Sequence, residues 1–381
     1  MANIQGFCRD EFLAVREVLE KNLDSGADVG ASAAVFIEGE PVVDLWGGYL
    51  DEARTQPWQS DTIIQTYSTT KTMTALCALI LLDRDEIELD APVARYWPEF
   101  AAEGKERITV RQVLAFTSGM GGWTEKMTLA DLCDLEKSTA LLARQAPWWE
   151  PGTAIGYHAF SIGHLVSEIT RRVTGKTLGQ FFAEEVAGPL GADYHIGTGP
   201  ECDHRVAPLL PATPVRQPSG GDTLMDRAYF NPAVPPAASF TTMWRRAEVG
   251  GGNGHGNARS VAAVQSVLAN GGSSGGVRLL SERGCERALE KQFEGHDVIL
   301  GVPVVWGLGY CIGGPAVDDR LGPYARRRWA AWGGNGGSWV HVDFDARMSV
   351  AFVMNRWLEG YDLGRCFDVV LAAYESLGVA A

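Results

Sequence analysis

The sequence predicts an α/β (α+β) chain: an antiparallel sheet built from both termini and flanked by helices, plus a mostly helical lobe. Strand-like runs cluster near the N-terminus and again beyond Val302, while helical periodicity dominates between them. No internal repeat divides the 381 residues, which are enough to bury a large core. The two ends must then meet in one sheet. This assigns residues 1–65 and 245–381 to a sheet domain and 66–244 to a helical one, with an active site at their interface.

Asp10 to Asn22 reads as an amphipathic helix through Phe12, Leu13, Val15, Val18 and Leu19. Ala31 to Ile37 and Pro41 to Trp46 flank Glu38-Gly39-Glu40, the pattern of a β-hairpin, continued through Gly47 to Asp51. Helices come next at the Ser68 segment, Val110 to Ala115, Leu129 to Arg144 and Ile162 to Val173, punctuated by Pro92, Pro98, Gly119, Pro147 and Pro151-Gly152. Gly199 to Pro236 is Pro-rich and aperiodic, so loops are expected there. A glycine-rich turn, Gly250 to Gly256, leads into a helix over Ala258 to Ala269. Strands are expected at Val302 to Val305, Gly307 to Ile312, Trp339 to Phe344 and Met348 to Asn355, and a last helix over Leu363 to Gly378.

Net charge is −14 with no long basic run, which makes nucleic acid and anionic membrane surfaces poor partners. No apolar run reaches the ~18 residues of a membrane span. Met1 to Asp10 lacks a basic segment followed by an apolar one, so a cytoplasmic location is expected. The 7 cysteines are scattered without a Cys-x-x-Cys, as buried thiols in a reducing compartment would be. Cys202-Asp203-His204 and nearby His195 suggest metal ligands, but no second cluster completes a set of four; no metal or organic cofactor is expected.

The chemistry centres on Thr66-Tyr67-Ser68-Thr69-Thr70-Lys71-Thr72-Met73. Apolar residues at Met73, Leu76, Cys77, Ile80 and Leu81 predict a helix with Ser68 at its first turn. Three residues on, Lys71 falls on the same face. A serine hydroxyl is a weak nucleophile until a base takes its proton, and a desolvated lysine at a helix N-terminus is suited to do so. The plainer alternative is a capping serine and an unrelated lysine. Of the seven lysines, only Lys71 has a serine three positions before it.

Two further stretches bear on this pair. Tyr157 stands in a loop constrained by Pro151-Gly152 and Gly156, where a phenol near an ammonium could shuttle the serine proton. Trp332-Gly333-Gly334-Asn335-Gly336-Gly337-Ser338 lies directly before a strand, and its glycines permit a close backbone approach with N–H groups turned outward. One of these, with the Ser68 N–H, would make an oxyanion hole. A packing tyrosine and an ordinary hairpin turn are the alternatives. Gly271-Gly272-Ser273-Ser274-Gly275 matches the Gly-x-Ser-x-Gly elbow, but a helix precedes it and a strand-like run comes after, the reverse of the required context. It is read as a turn.

Ser-x-x-Lys, the Tyr157 loop and Trp-Gly-Gly occur in the order of the class C β-lactamase-like serine hydrolases, and the chain resembles their family VIII carboxylesterases. Ile108 to Gly119 resembles that family's Leu-Leu-x-His-Thr-Ser-Gly segment, with Phe116 in place of the histidine, and Leu89 to Phe100 resembles the segment before it. The resemblance covers roughly residues 10 to 375 and implies a β-lactamase/DD-peptidase-like fold. It implies Ser68 as nucleophile, Lys71 and Tyr157 as its proton handlers, and the N–H groups of Ser68 and Asn335 as the oxyanion hole. Ala159 replaces an asparagine that grips a side-chain amide, and Trp332 replaces a lysine that helps hold the lactam carboxylate. Both changes remove polar anchoring, which favours a neutral or hydrophobic ester as the small-molecule partner. Pocket walls are expected from Trp332, Gly333, Gly334, Ala159, His158 and Trp244, with Trp148 and Trp149 as further choices. The alternatives are an amide hydrolase of the β-lactamase or D-aminopeptidase kind, an acyltransferase, and a non-catalytic ligand-binding relative. The natural ester and the oligomeric state are not legible.

Overall fold

Nine strands form one antiparallel sheet in the computed structural model, which describes residues 3–212, 214–358 and 363–379. In chain order they are β1 (Ile4–Cys8), β2 (Gly30–Ile37), β3 (Glu40–Gly48), β4 (Phe293–His296), β5 (Pro303–Trp306), β6 (Cys311–Gly313), β7 (Trp329–Gly333), β8 (Trp339–Asp343) and β9 (Met348–Met354). In space the order is β1-β3-β2-β9-β8-β7-β6-β5-β4. The seam joining the two ends of the chain is β2 against β9, with Ala34 opposite Ala351 and Val35 opposite Val350.

Five helices frame the sheet and the site: α1 (Leu13–Asp24), α2 (Thr70–Asp83), α3 (Ser161–Thr174), α4 (Ala258–Ala269) and α5 (Gly364–Leu377). β9 is buried along its whole length and β2 along nearly all of it, so both faces of the sheet are covered. α1 and α5 pack together on one face, and α4 crosses β2, β9 and β8 on the other. α2 is buried at every position from Thr70 to Leu82, which explains why its sequence is apolar nearly all round and not striped. Each of its buried leucines contributes about 1.5–3 kcal/mol of transfer free energy.

The hairpin is as expected, its turn made by Glu38 and Gly39 with φ of 54° and 82°, but the strand ends at Gly48, and Tyr49 to Asp51 lie outside it. The expected helix over Leu129 to Arg144 is two, Leu129–Cys133 and Leu135–Arg144. Asp134 breaks it because its carboxylate caps the second helix, accepting from Lys137 N at 3.0 Å. The Gly199–Pro236 stretch is not all loop: Thr223 caps a helix over Leu224–Phe230. Gly307 to Tyr310 lie outside the strand expected over Gly307 to Ile312, which begins at Cys311. The Ser273 elbow is a hairpin turn after α4, with Ser274 Oγ accepting from Ser266 Oγ at 2.6 Å.

Candidate active site

Ser68 sits in a single 3-10 turn, Tyr67–Thr69, that runs straight into α2. One turn on, Lys71 Nζ lies 3.0 Å from Ser68 Oγ. The same nitrogen donates to the carbonyls of Ala159 and Gly251, each at 2.6 Å. Lys71 is buried, and among the described residues no carboxylate forms an ion pair with it. Burial alone therefore drives its pKa well below the ordinary lysine value. The two carbonyls come from the turn just before α3 and from the Gly250–Gly256 turn. These segments touch because neither has a side chain at the crossing: a Cβ on Gly163 would meet Gly251 N at 2.1 Å.

Tyr157 is buried with its ring 4.7 Å from Lys71 Nζ, centroid to nitrogen. Its phenol oxygen accepts from Trp332 Nε1 at 3.0 Å. Trp306 stacks on it at 13° between planes, and Phe116 and Trp332 close the ring edges at 5.6 and 5.3 Å. Its backbone N–H donates to Asp297 Oδ1 at 3.2 Å, an oxygen that also accepts from Ile299 N and Leu300 N at 2.8 Å each. Burial raises the Asp297 pKa.

The glycine-rich stretch turns sharply after β7, with Gly334 N bonded to Ser338 O and Gly337 N to Gly334 O. Ser338 Oγ donates to Thr66 O at 2.7 Å and shares a 3.0 Å hydrogen bond with Thr69 Oγ1, so the turn is pinned to the segment that carries Ser68. Gly334 permits this contact, since a Cβ there would lie 2.1 Å from Thr66 O. Asn335 and Ser68 consequently line one cavity of about 460 Å³.

Ala159 lines that cavity as well, but most of its wall is apolar and comes from elsewhere: Tyr229, Phe230, Val234, Leu300, Val302 and Trp357. The other expected wall residues are not among those lining it, and each has a physical reason. Trp332 is buried behind Tyr157 with its indole N–H committed to the phenol. Gly333 and Gly334 are consumed by the turn's packing. His158 is fully buried: its Nδ1 donates to Gly156 O at 2.6 Å and its Nε2 accepts from Ser118 at 2.7 Å. Its pKa is pushed down to about 4, chiefly by burial, so this ring is neutral. Trp244 is buried with its N–H on Gln65 Oε1 at 3.0 Å. Trp148 and Trp149 bond Thr124 and Ala154 O. The wall residues of the 215–236 segment were hidden because it lacks periodicity. The carbonyls of Ala159 and Gly251 were hidden because backbone groups leave no mark in a sequence.

Cys202 lies 3.8 Å from His195, but Asp193 is shared between His195 and Arg205. Among the described residues no group of three or more His, Cys, Asp or Glu is arranged to hold a metal ion. No helix among them is long and apolar enough to cross a membrane.

Residues 15–374 match the Beta-lactamase family. A solved family VIII carboxylesterase superposes with a TM-score of 0.92 at 42% identity, covering 98% of this chain and 100% of the other. A penicillin-binding protein homologue from Caulobacter crescentus superposes at 0.91 and 36% identity, over 98% of this chain and 100% of that one. The esterase/beta-lactamase LipL of Mycobacterium tuberculosis is 32% identical over 351 residues, 86% of this chain and 77% of its own. The sheet built from both ends, the Ser68–Lys71 pair at the head of α2 and these likenesses agree: the chain belongs to the beta-lactamase family of serine hydrolases.

Proposed function

We propose that the chain is a carboxylesterase that hydrolyses neutral or hydrophobic small esters through an acyl-Ser68 intermediate. The observation that carries this is the seat of Lys71. A neutral amine has two N–H bonds and one lone pair. With Ala159 O and Gly251 O taking the two N–H groups, the lone pair is left facing Ser68 Oγ at 3.0 Å. Burial without a carboxylate partner favours that neutral form. Lys71 then takes the Ser68 proton as Oγ bonds to the ester carbonyl carbon. The oxyanion is held by the N–H groups of Ser68 and Asn335. Collapse breaks the acyl–oxygen bond, and the proton passes to the departing alcohol, with the Tyr157 phenol as relay. Water, deprotonated by the same pair, attacks the acyl carbon, the acyl–Oγ bond breaks, Ser68 Oγ takes the proton back, and the acid leaves.

The apolar cavity wall supports an uncharged acyl group, as do the esterase relatives. An amide or lactam reading draws support from the mycobacterial relative's double name and from the penicillin-binding homologue. A panel of p-nitrophenyl butyrate, a D-amino-acid amide and a chromogenic cephalosporin separates the two, and the ester is expected to react fastest. Intact mass should show a butyryl adduct on the parent and none on Ser68→Ala. Failure to find that adduct under trapping conditions would overturn the acyl-enzyme reading. Cys8, Cys77, Cys133, Cys202, Cys285 and Cys311 are free thiols, which supports placing the enzyme in the cytoplasm.

A further inference from the structure

We infer that Thr70, backed by Tyr194, is a positioning residue that aims the Ser68 N–H into the oxyanion hole; this rests on the acyl-enzyme reading above. The starting observation is strain. Tyr67, directly before Ser68, has φ of +44°. An aromatic residue in the left-handed region costs on the order of 1–3 kcal/mol and persists only where its surroundings hold it.

The Tyr67 carbonyl accepts the Thr70 backbone N–H of the 3-10 turn, and a run of hydroxyls adds to that hold. Thr70 Oγ1 donates to Tyr67 O at 2.5 Å and accepts from Gly254 N at 2.8 Å and from Tyr194 OH at 3.2 Å. Tyr194 OH in turn lies 2.6 Å from Thr66 Oγ1. In the proton order Thr66 to Tyr194 to Thr70 to the Tyr67 carbonyl each hydroxyl donates once, the longer 3.3 Å contact of Thr66 Oγ1 with Gly254 O giving way to the 2.6 Å one with Tyr194, and both acceptor positions of Thr70 are filled. Thr66, Thr70 and Tyr194 are all buried. Burial pushes the Tyr194 phenol up to about 12, so it stays a donor. A threonine bonded to the carbonyl three residues back is common in helices for purely local reasons. Here the same bond is backed by a buried tyrosine from a distant segment and closes on a strained residue, which local capping does not require.

The consequence comes from peptide geometry. The Tyr67 carbonyl and the Ser68 N–H belong to one planar trans peptide and point in opposite directions. Fixing the oxygen on the buried side, toward Thr70, turns the N–H to the other side. Tyr67 and Ser68 there line the cavity with Asn335. Without the Thr70 hydroxyl the Tyr67 carbonyl keeps only the Thr70 backbone N–H, the peptide turns toward a relaxed Tyr67, and the Ser68 N–H swings off the oxyanion position. None of these three hydroxyls touches the reacting atoms.

The test uses Thr70→Val, which deletes the hydroxyl at nearly constant shape, with Thr70→Ser as the conservative rescue. Turnover of p-nitrophenyl butyrate and inhibition by butylboronic acid, whose tetrahedral adduct with serine needs the oxyanion donors, are measured for each. Thr70→Val is expected to lower kcat by about 10- to 100-fold and to weaken the boronate by a similar factor, with KM changed by less than about twofold. Thr70→Ser should recover to within about threefold of the parent. If Thr70→Val does not fold, Tyr194→Phe carries the same readouts, with an expected loss of about 3- to 10-fold. Parental kcat and boronate affinity in the folded variant would overturn the inference, as would a lower thermal midpoint with boronate affinity unchanged. A parent that forms no butyryl adduct sinks the acyl-enzyme reading itself, whereas a parent that forms one beside an unaffected Thr70→Val sinks only this inference.

Discussion

Replacing Gly334 with alanine tests whether the turn after β7 completes the site. The added Cβ would lie 2.1 Å from Thr66 O and 2.4 Å from Ser338 Oγ. Ser338 can rotate, but Thr66 O is backbone directly behind the nucleophile's turn, so the loop must give. Restoring an ordinary contact of 3.4 Å or more displaces the loop by about 1 Å, and Asn335 moves with it. A misplacement of that size costs about 10²-fold in rate, or about 2.7 kcal/mol. The overpacking should also lower stability by about 1–3 kcal/mol. The assay is kcat and KM on p-nitrophenyl butyrate, read beside a thermal melt. The loss is expected in kcat, because an oxyanion donor acts on the transition state and not on the bound ester. A Gly334→Ala enzyme with parental kcat would refute the assignment of Asn335 to the oxyanion hole.

Lys71→Arg puts a permanent cation beside Ser68 and should lower kcat by about 10³-fold or more. On the proposed mechanism the working form is the neutral amine, so kcat/KM should rise with pH through a midpoint well below the ordinary lysine range, because burial disfavours the charge. A midpoint near ~10.4 would contradict this. Trp332→Phe keeps a ring between Trp306 and Tyr157 but removes the donor to the phenol, and should lower kcat about tenfold without changing KM, read by steady-state kinetics. For Asp297 the native pKa is raised by burial above the unfolded one, so this carboxyl's contribution to stability is lost as pH rises from the unfolded value through the native one. Chemical denaturation across the acid range should therefore find Asp297→Asn gaining on the parent as pH rises, whereas Asp297→Ala, which strands three N–H groups, should be less stable by about 1–3 kcal/mol at every pH. Leu300→Trp fills the apolar cavity and should shift the preference among p-nitrophenyl esters from octanoate toward acetate by about tenfold, measured as a ratio of kcat/KM.

The parts of this protein that could be read in its sequence are those where a periodic pattern and a packing demand coincide. Ala258 to Ala269 is striped, capped by Asn257 and followed by glycines, and the helix spans those residues. Ser68 and Lys71 were found because spacing along a helix is itself a distance, and 3.0 Å is what it delivers. β7 was missed because Trp329 to Gly333 is buried on both faces and shows no alternation, with its glycine read as loop. The pocket walls failed for another reason. Tryptophan is large and apolar wherever it sits, and whether Trp244 or Trp332 faces a cavity or a neighbour is decided by tertiary packing. Asp297 carries no local signal at all: its value to the site is three backbone N–H groups gathered from two loops.

The pairing of Gly30–Ile37 with Met348–Met354 has a consequence for the chain as it is made. Ser68 and Lys71 are translated well before Trp332, Asn335 and the strand that seats them. A nascent chain that has already wound the Ser68 helix lacks both the Trp332 donor to the Tyr157 phenol and Asn335, the second oxyanion donor proposed above. Closure of the sheet at that long-range seam, slow by its high contact order, is thus the step that brings the Trp332–Asn335 turn against the segment carrying Ser68.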